Sequence, residues 1–131
     1  MDQIELIENF SYLTDWEDKY AYLIELGNNL PPFDEQDKTE ENKVEGCMSQ
    51  VWFVHKKENN INYFNATSDA HIVRGLEAVL ITLINNKTTE EILSLNIEKT
   101  FEELGLKDHL SPTRRNGFYA MVERIFKLIQ K

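Results

Sequence analysis

The chain contains one cysteine, Cys47, whose thiol has the clearest potential for chemistry. Cysteine is a strong nucleophile near neutral pH because a small fraction is already the reactive thiolate. Gly46 favours a turn, and the following Met48, Ser49 and Gln50 differ from the apolar neighbours of most core cysteines. Free cysteines are often buried and inert. The sequence therefore leaves two interpretations, a reactive thiol on a presented turn or an inert thiol in the core.

A cysteine hydrolase would need a histidine base, and the chain offers His55, His71 and His109. None lies at a spacing from Cys47 that requires a pairing. His55 falls on or just after a predicted strand, His71 lies in the first turn of a predicted helix, and His109 precedes a helix cap. A hydrolase site would depend on tertiary contacts, and it remains a third interpretation.

Other kinds of site lack their ligands in this sequence. A single cysteine cannot hold an Fe–S cluster or a zinc ion by itself, so we expect no metal site. The five glycines are dispersed rather than gathered in a phosphate-binding loop. Arg114 and Arg115 stand near the start of a predicted helix, where the helix dipole disfavours cations. They are either solvated or paired with an anion or a protein partner.

The chain is strongly acidic, with 23 acidic and 14 basic side chains in 131 residues and a formal net charge of -9. Such a surface repels phosphate backbones and anionic lipids, which argues against binding to nucleic acids or membranes. The apolar runs are far shorter than the roughly 20 residues of a membrane-spanning helix. The single cysteine and the signal-free start Met1-Asp2-Gln3-Ile4-Glu5 lead us to expect a cytoplasmic protein.

Two helices begin the set of elements that would position Cys47. Apolar residues recur at helical spacing from Ile4 to Leu13, and Thr14-Asp15-Trp16-Glu17 is typical of a capping box that opens a second helix. This second helix must end before Pro31-Pro32, which cannot continue it. The acidic segment from Phe33 to Asn42 has no clear period and predicts an exposed loop that leads to Cys47.

A β-hairpin is predicted after the cysteine turn. The β-branched and aromatic runs Gln50–His55 and Ile61–Thr67 predict two strands, with the turn at Asn59-Asn60. If Lys43–Glu45 is extended too, Gly46–Ser49 becomes the tip of a preceding hairpin, and the sheet has three antiparallel strands. The thiol would then stand at the end of the sheet.

The second half of the chain is predicted to be mainly helical. Ser68 is a candidate N-cap of a mostly apolar, central helix. Short helices are indicated at the capping box Thr88-Thr89-Glu90-Glu91 and from Ile97 to Leu104, and Ser111-Pro112 opens a long terminal helix. This order predicts an α+β fold in a single domain over residues 1–131, with a small three-stranded antiparallel sheet packed against helices.

Thiol exchange is the chemistry that this composition allows with the fewest residues. The attacking sulfur must be partly thiolate and accessible, and the sulfur that leaves must be a good leaving group, but no catalytic triad is needed. A lone thiol in an acidic domain can therefore attack a reactive sulfur that another protein supplies.

The segment Gly46-Cys47-Met48-Ser49-Gln50-Val51-Trp52 resembles the Gly-Cys-x-Ser-Gln-Val-Trp signature of the SufE family, the sulfur-acceptor proteins of Fe–S cluster assembly. Four further segments resemble family blocks in the same order, so the resemblance covers nearly the whole chain: Tyr22-Leu23-Ile24-Glu25-Leu26-Gly27, Leu30-Pro31-Pro32, Ser68-Asp69-Ala70-His71-Ile72-Val73-Arg74-Gly75-Leu76 and Leu110-Ser111-Pro112-Thr113-Arg114-Arg115-Asn116-Gly117. Met48 occupies a variable position of the signature.

The resemblance implies a sulfur carrier. A SufS-like cysteine desulfurase, whose cofactor is pyridoxal phosphate, would pass persulfide sulfur to Cys47, and the chain would deliver it to an Fe–S scaffold complex. The acceptor would also raise the turnover of the desulfurase by clearing its persulfide, and would bind no cofactor of its own. The implied fold is that of the SufE and IscU proteins, and the expected state is a monomer or weak homodimer. Such a protein resembles a sulfurtransferase more than a stand-alone enzyme.

The implied site has a centre and a periphery. Cys47 is the acceptor, on a loop formed with Gly46, Met48, Ser49 and Gln50. A second set of residues is expected to surround the thiol or contact the partner: Asp69, His71, Arg114 and Arg115. The alternative is a non-catalytic regulatory binding module in which Cys47 is buried and inert.

Overall fold

Six α-helices and three β-strands make up the fold in a computed structural model that describes all residues from Met1 to Lys131. In chain order the elements are α1 (Gln3–Ser11), α2 (Trp16–Asn28), β1 (Val51–Glu58), β2 (Ile61–Ser68), α3 (His71–Ile84), β3 (Lys87–Thr88), α4 (Thr89–Leu93), α5 (Ile97–Glu103) and α6 (Pro112–Ile129). The α+β class with a three-stranded antiparallel sheet is confirmed. None of the helices has the length and apolar character needed to cross a lipid bilayer.

The hairpin of β1 and β2 forms as the sequence predicts. The two strands pair antiparallel from Val51 opposite Ser68 to Glu58 opposite Ile61. The turn residues Asn59 and Asn60 have φ values of 51° and 67°. Asparagine tolerates this left-handed region better than most residues, which is why the pair makes a tight turn.

The third strand differs from the predicted one. Lys43 forms only an isolated bridge with Trp52, and the strand that completes the sheet is β3, which pairs with the other side of β2. The segment Lys43–Glu45 cannot extend the ladder because the chain turns away at Glu45 and Gly46 toward the cysteine. β3 has only two residues, too few for a period-2 pattern to be detected.

Two of the predicted helix caps also differ. Asp15, not Thr14, caps α2, and its carboxylate accepts from the backbone N–H of Asp18 at 2.9 Å. Ser68 is the last residue of β2, and α3 starts later, after Ala70, with no side-chain cap. The Ser68 hydroxyl instead accepts from the Ala70 N–H, so it shapes the turn between strand and helix. The capping box of α4 and the serine cap of α6 form as predicted.

α3 is the central element of the core. It crosses α2 so closely that a Cβ placed on Gly75 would lie 2.3 Å from the Leu23 carbonyl oxygen. Gly27 meets the same crossing from α2, where a Cβ would lie 2.7 Å from the Gly75 nitrogen. Glycine at both positions lets the two backbones touch. The rest of α3 is buried on nearly every side, including the part that lies beneath Cys47.

Candidate functional site

The loop that carries Cys47 is fastened at both ends. On the first side the Val44 N–H donates to the Val51 carbonyl at 2.8 Å, and on the second the Gln50 N–H donates to the Asp69 carboxylate at 3.0 Å. Between them Gly46 has a φ of +90°, which few side-chain-bearing residues adopt. These contacts fix the two ends of the loop, and its tip lies over α3 and α6.

The two sides of the loop tip have opposite environments. Met48 is 86% exposed, whereas the neighbouring Cys47 is half-buried and faces the protein. The Cys47 thiol donates a hydrogen bond to the Gly117 carbonyl of α6, with Sγ and oxygen 3.6 Å apart. A Cβ on Gly117 would lie 3.7 Å from Sγ, so glycine leaves space beside the sulfur. The loop thus presents an apolar tip and shelters its thiol.

A small cavity of about 20 Å³ lies at the thiol. Its lining comes from the loop, from α3 and from α6: Cys47, Met48, Ser49, Val73, Leu76, Thr113, Arg114, Gly117, Phe118 and Met121. This volume accommodates about one water-sized group. Most of the lining is apolar, which slows hydrolysis or exchange of a group held there.

Arg114 lies at the cavity. The serine cap at Ser111 starts α6, so that Thr113 and Arg114 in its first turn reach the loop. The Arg114 guanidinium donates to the Ser49 hydroxyl at 3.3 Å. Its charge adds to the positive end of the α6 dipole, and both stabilise negative charge on a sulfur in the cavity. Arg115, the next residue of α6, does not line the cavity.

The other expected site residues have different positions. Asp69 holds the end of the cysteine loop through the Gln50 N–H. His71 is exposed, and its ring nitrogen Nδ1 contacts the Arg74 guanidinium rather than the thiol. The structure therefore brings Asp69 and Arg114 to the loop, but not His71 or Arg115.

No imidazole is hydrogen-bonded to Cys47. His55 is hydrogen-bonded to Asn62, with Nε2 and Oδ1 2.7 Å apart. His109 stacks on Trp16 with ring centroids 4.9 Å apart. The thiol's only hydrogen-bond partner is the Gly117 carbonyl. The site therefore lacks the cysteine nucleophile and histidine general base that a cysteine hydrolase holds in hydrogen-bond contact. No three His, Cys, Asp or Glu side chains converge where they could bind a metal ion.

Glu77, on α3, is a site neighbour that the sequence patterns missed. Its side chain is completely buried, and neither carboxylate oxygen has a hydrogen-bond partner. Burial raises the pKa of Glu77 to about 9, against the opposing effect of the Arg74 charge, so the group is protonated at neutral pH. A helix that is apolar on nearly all sides is usually buried. The acidic residue within such a helix is therefore the feature of the sequence that could have predicted a buried carboxyl.

Burial also raises the pKa of the Cys47 thiol, and a negative charge on Glu77 would raise it further. Glu77 is neutral at pH 7, so its charge acts on the thiol only under alkaline conditions, and burial is the main cause near neutrality. In the resting loop Cys47 is therefore stored as a thiol.

The fold and the site define a small α+β protein with one sheltered thiol on a loop. The family described as "Fe-S metabolism associated domain", SufE, matches residues 4–129. SufE-like proteins described as uncharacterised, from Rhizobium meliloti strain 1021 and Rhizobium etli, are 45% and 48% identical over 129 residues. Each alignment covers 95% of this chain, and 91% and 86% of the respective relative. The chain belongs to the SufE family, which confirms the resemblance.

A solved structure supports the fold independently. The solution structure of a hypothetical protein from Thermus thermophilus superposes with a TM-score of 0.78, at 18% sequence identity. The match covers 98% of this chain and 93% of the other. At this identity the match shows the shared fold alone. The SufE-family assignment connects the chain to Fe–S metabolism.

Proposed function

We propose that this chain is a sulfur acceptor and carrier in Fe–S cluster assembly, and that Cys47 is the residue that carries the sulfur. The observation that carries the proposal is the position of the only thiol, on a loop with an exposed tip and above a cavity of about 20 Å³. Membership of a family associated with Fe–S metabolism supports the same role.

The transfer is a thiol exchange with a persulfide on a cysteine desulfurase. Cys47 loses its proton, and its thiolate attacks the outer sulfur of the donor. A new S–S bond forms at Cys47 as the donor's S–S bond breaks, and the donor thiolate takes up the proton. Cys47–SH and R–S–SH thus give Cys47–S–SH and R–SH, without an oxidant or a reductant.

Movement of the loop is part of this mechanism. The thiol has a raised pKa while it is half-buried, so ionisation becomes easier when the loop swings Cys47 out toward the partner. The exposed Met48 beside it supplies an apolar contact for that partner. After transfer the loop returns, and the cavity accommodates the added sulfur near Arg114 and the positive end of α6.

The partners follow from this chemistry. The donor is a cysteine desulfurase that carries pyridoxal phosphate, and its turnover rises because Cys47 clears its persulfide. The recipient is an Fe–S scaffold complex. Asp69 and Arg114 act by holding the loop, while His71 and Arg115 belong to the docking surface around it. A free thiol persists in a reducing compartment, so we place this function in the cytoplasm.

Mass spectrometry tests the proposal directly. The chain is mixed with a cysteine desulfurase and L-cysteine, and Cys47 is expected to gain the mass of one sulfur while the desulfurase turns over faster. Cys47→Ser is expected to lose both effects, and Arg115→Glu is expected to weaken the stimulation without changing the mass gained from a small sulfur donor. No mass gain on Cys47 would contradict the proposal.

The half-buried thiol and its raised pKa favour one alternative, a regulatory binding module with an inert cysteine. This alternative predicts that Cys47→Ser stimulates the desulfurase as well as the wild type does. It also predicts that iodoacetamide fails to label Cys47 in the presence of the desulfurase, when the loop should have opened.

A further inference from the structure

Glu77 is a buried acid without a partner, next to the sulfur cavity. Its side chain is 0% exposed, and both of its oxygens lack a hydrogen bond. On α3 it lies one helical turn after Val73 and directly after Leu76, and both of these line the cavity. Buried polar groups nearly always have a hydrogen-bond partner. The unpartnered Glu77 carboxyl therefore points to an acceptor that is not part of the resting protein.

The neighbours of Glu77 leave it without a hydrogen-bond partner, although the Arg74 charge acts on it. Arg74 is the charged residue of its own helix, and its guanidinium is bonded to Asn28 and His71. α2 meets α3 through Leu23 and Gly27, which carry no charge. The groups that α1 and β2 bury against the core are also uncharged: Leu6 and Phe10 of α1, and Asn62, Phe64, Ala66 and Ser68 of β2.

Two further charged or titratable groups come from the remaining elements of the site. The loop contributes the Cys47 thiol, and the first turn of α6 contributes Arg114 at the cavity. Glu77 does not line the cavity itself, but it lies on the face of α3 that carries Val73, which does. The cavity is therefore the place from which Glu77 can gain a partner.

We propose that Glu77, in its protonated form, donates a hydrogen bond to the outer sulfur of a persulfide on Cys47 when that sulfur lies in the cavity. This inference rests on the proposed function. A persulfide is a stronger acid than a thiol, so the outer sulfur is anionic near neutral pH and is a better acceptor than the resting thiol. Glu77 thus acts as a positioning residue that retains the transferred sulfur.

The test compares the lifetime of the persulfide in three proteins: wild type, Glu77→Gln and Glu77→Leu. Inorganic polysulfide loads Cys47 without any partner, and mass spectrometry then follows loss of the added sulfur at pH 7.5 and pH 10. Gln keeps a donor that does not titrate, whereas Leu has none. Thr82→Val serves as the matched control, because it removes from the same helix a hydroxyl that bonds only to the Ala78 carbonyl.

At pH 7.5 the wild type and Glu77→Gln are expected to hold the sulfur about tenfold longer than Glu77→Leu, which corresponds to one hydrogen bond to a charged acceptor. At pH 10 part of the wild type has lost the Glu77 proton, so its sulfur lifetime falls toward that of Glu77→Leu, while Glu77→Gln keeps its advantage. Thr82→Val follows the wild type. A merely structural role of Glu77 would not separate the pH profiles of the wild type and Glu77→Gln.

Three results would overturn the inference. These are equal lifetimes of the wild type and Glu77→Leu at pH 7.5, parallel pH profiles of the wild type and Glu77→Gln, and a wild-type Cys47 that takes no sulfur from polysulfide. Failure of the proposed function alone looks different, since polysulfide would then load Cys47 but a cysteine desulfurase would not.

Discussion

Asn62 and Glu77 are both polar and both 0% exposed, but they differ in their hydrogen bonding. Asn62 lies on β2 near the hairpin turn, where its amide oxygen pairs with the His55 ring at 2.7 Å. Its amide nitrogen donates to the Lys87 carbonyl at 3.1 Å and to the Thr89 hydroxyl at 3.2 Å. Glu77 has no partner of this kind.

The difference separates a structural polar group from one that awaits a partner. The Asn62 amide bonds across to β3 and the start of α4, which anchors a strand of only two residues. A satisfied buried network of this kind makes one arrangement unique. An unsatisfied carboxyl costs stability and fixes nothing in the resting protein. Substitutions in the sheet and around the thiol test this contrast, from the largest expected change in free energy to the smallest.

Asn62→Leu is expected to lower the free energy of unfolding by roughly 3 kcal/mol, because it removes three part-buried hydrogen bonds at about 1 kcal/mol each. Urea unfolding at pH 7 measures this change. Tyr63→Thr, at the exposed neighbouring position of β2, is the matched control and should shift stability by less than about 0.5 kcal/mol. Equal effects of the two variants would show that the Asn62 network does not hold the sheet.

Glu77→Leu is expected to have the opposite sign and to raise the free energy of unfolding by about 1 to 3 kcal/mol at pH 7, because it replaces an unpartnered buried acid with an apolar side chain. The same urea titration measures it. A loss of stability would mean that Glu77 already has a partner in the resting protein. The contrast with Asn62 would then disappear.

The pH dependence of stability sharpens the same contrast. The pKa of Glu77 rises from its ordinary value of 4.5 to about 9 in the folded chain. Between these values the unfolded chain loses this proton and the folded chain keeps it, so Glu77 makes stability fall as pH rises, by up to about 1.4 kcal/mol per pH unit. Glu77→Gln removes this slope. Urea titrations from pH 5 to pH 9 should show the wild type and Glu77→Gln diverging, and parallel curves would contradict a buried, neutral Glu77.

Sequence patterns predicted the parts of this molecule that are local. The hairpin of β1 and β2, the turn at Asn59-Asn60 and the serine cap of α6 depend on residues close together in the chain, and each is present. The glycine-cysteine loop was recognisable because its signature is contiguous. These features required no knowledge of which elements pack together.

What sequence patterns missed depends on tertiary packing. β3 forms because Ile61 and Asn62 of β2 pair with two residues that follow α3, Thr88 and Lys87. No periodicity marks so short a strand. Glu77 is buried because other elements surround α3, and its place in a mostly apolar helix signals burial without showing which elements cover it. Likewise, Arg114 reaches Ser49 across 65 positions of sequence, while Arg115, its neighbour, does not.

Gly117→Leu is expected to increase the solvent exposure of the Cys47 thiol, because the larger side chain fills the cavity beside Sγ. The loss of burial lowers the thiol pKa, and a shift of one pKa unit makes alkylation by iodoacetamide at pH 7.5 about tenfold faster. Gly117→Ala is the matched control, since its Cβ would meet Sγ at an ordinary contact distance of 3.7 Å. If both variants react like the wild type, the cavity does not shelter the thiol.

The smallest expected effect concerns the hydrogen bond between Arg114 and Ser49. Arg114→Ala frees the loop tip at a cost of about 1 kcal/mol, so Cys47 should be alkylated about fivefold faster or less. Arg115→Ala, without a contact to the cavity, should leave the rate unchanged. Ser49→Ala removes the same hydrogen bond but keeps the Arg114 charge, which stabilises the thiolate, so it should be alkylated at least as fast as Arg114→Ala. The double variant should match Arg114→Ala, because the two residues share one hydrogen bond. Additive effects would show that the two residues act on Cys47 separately, and that the loop is held only at its ends.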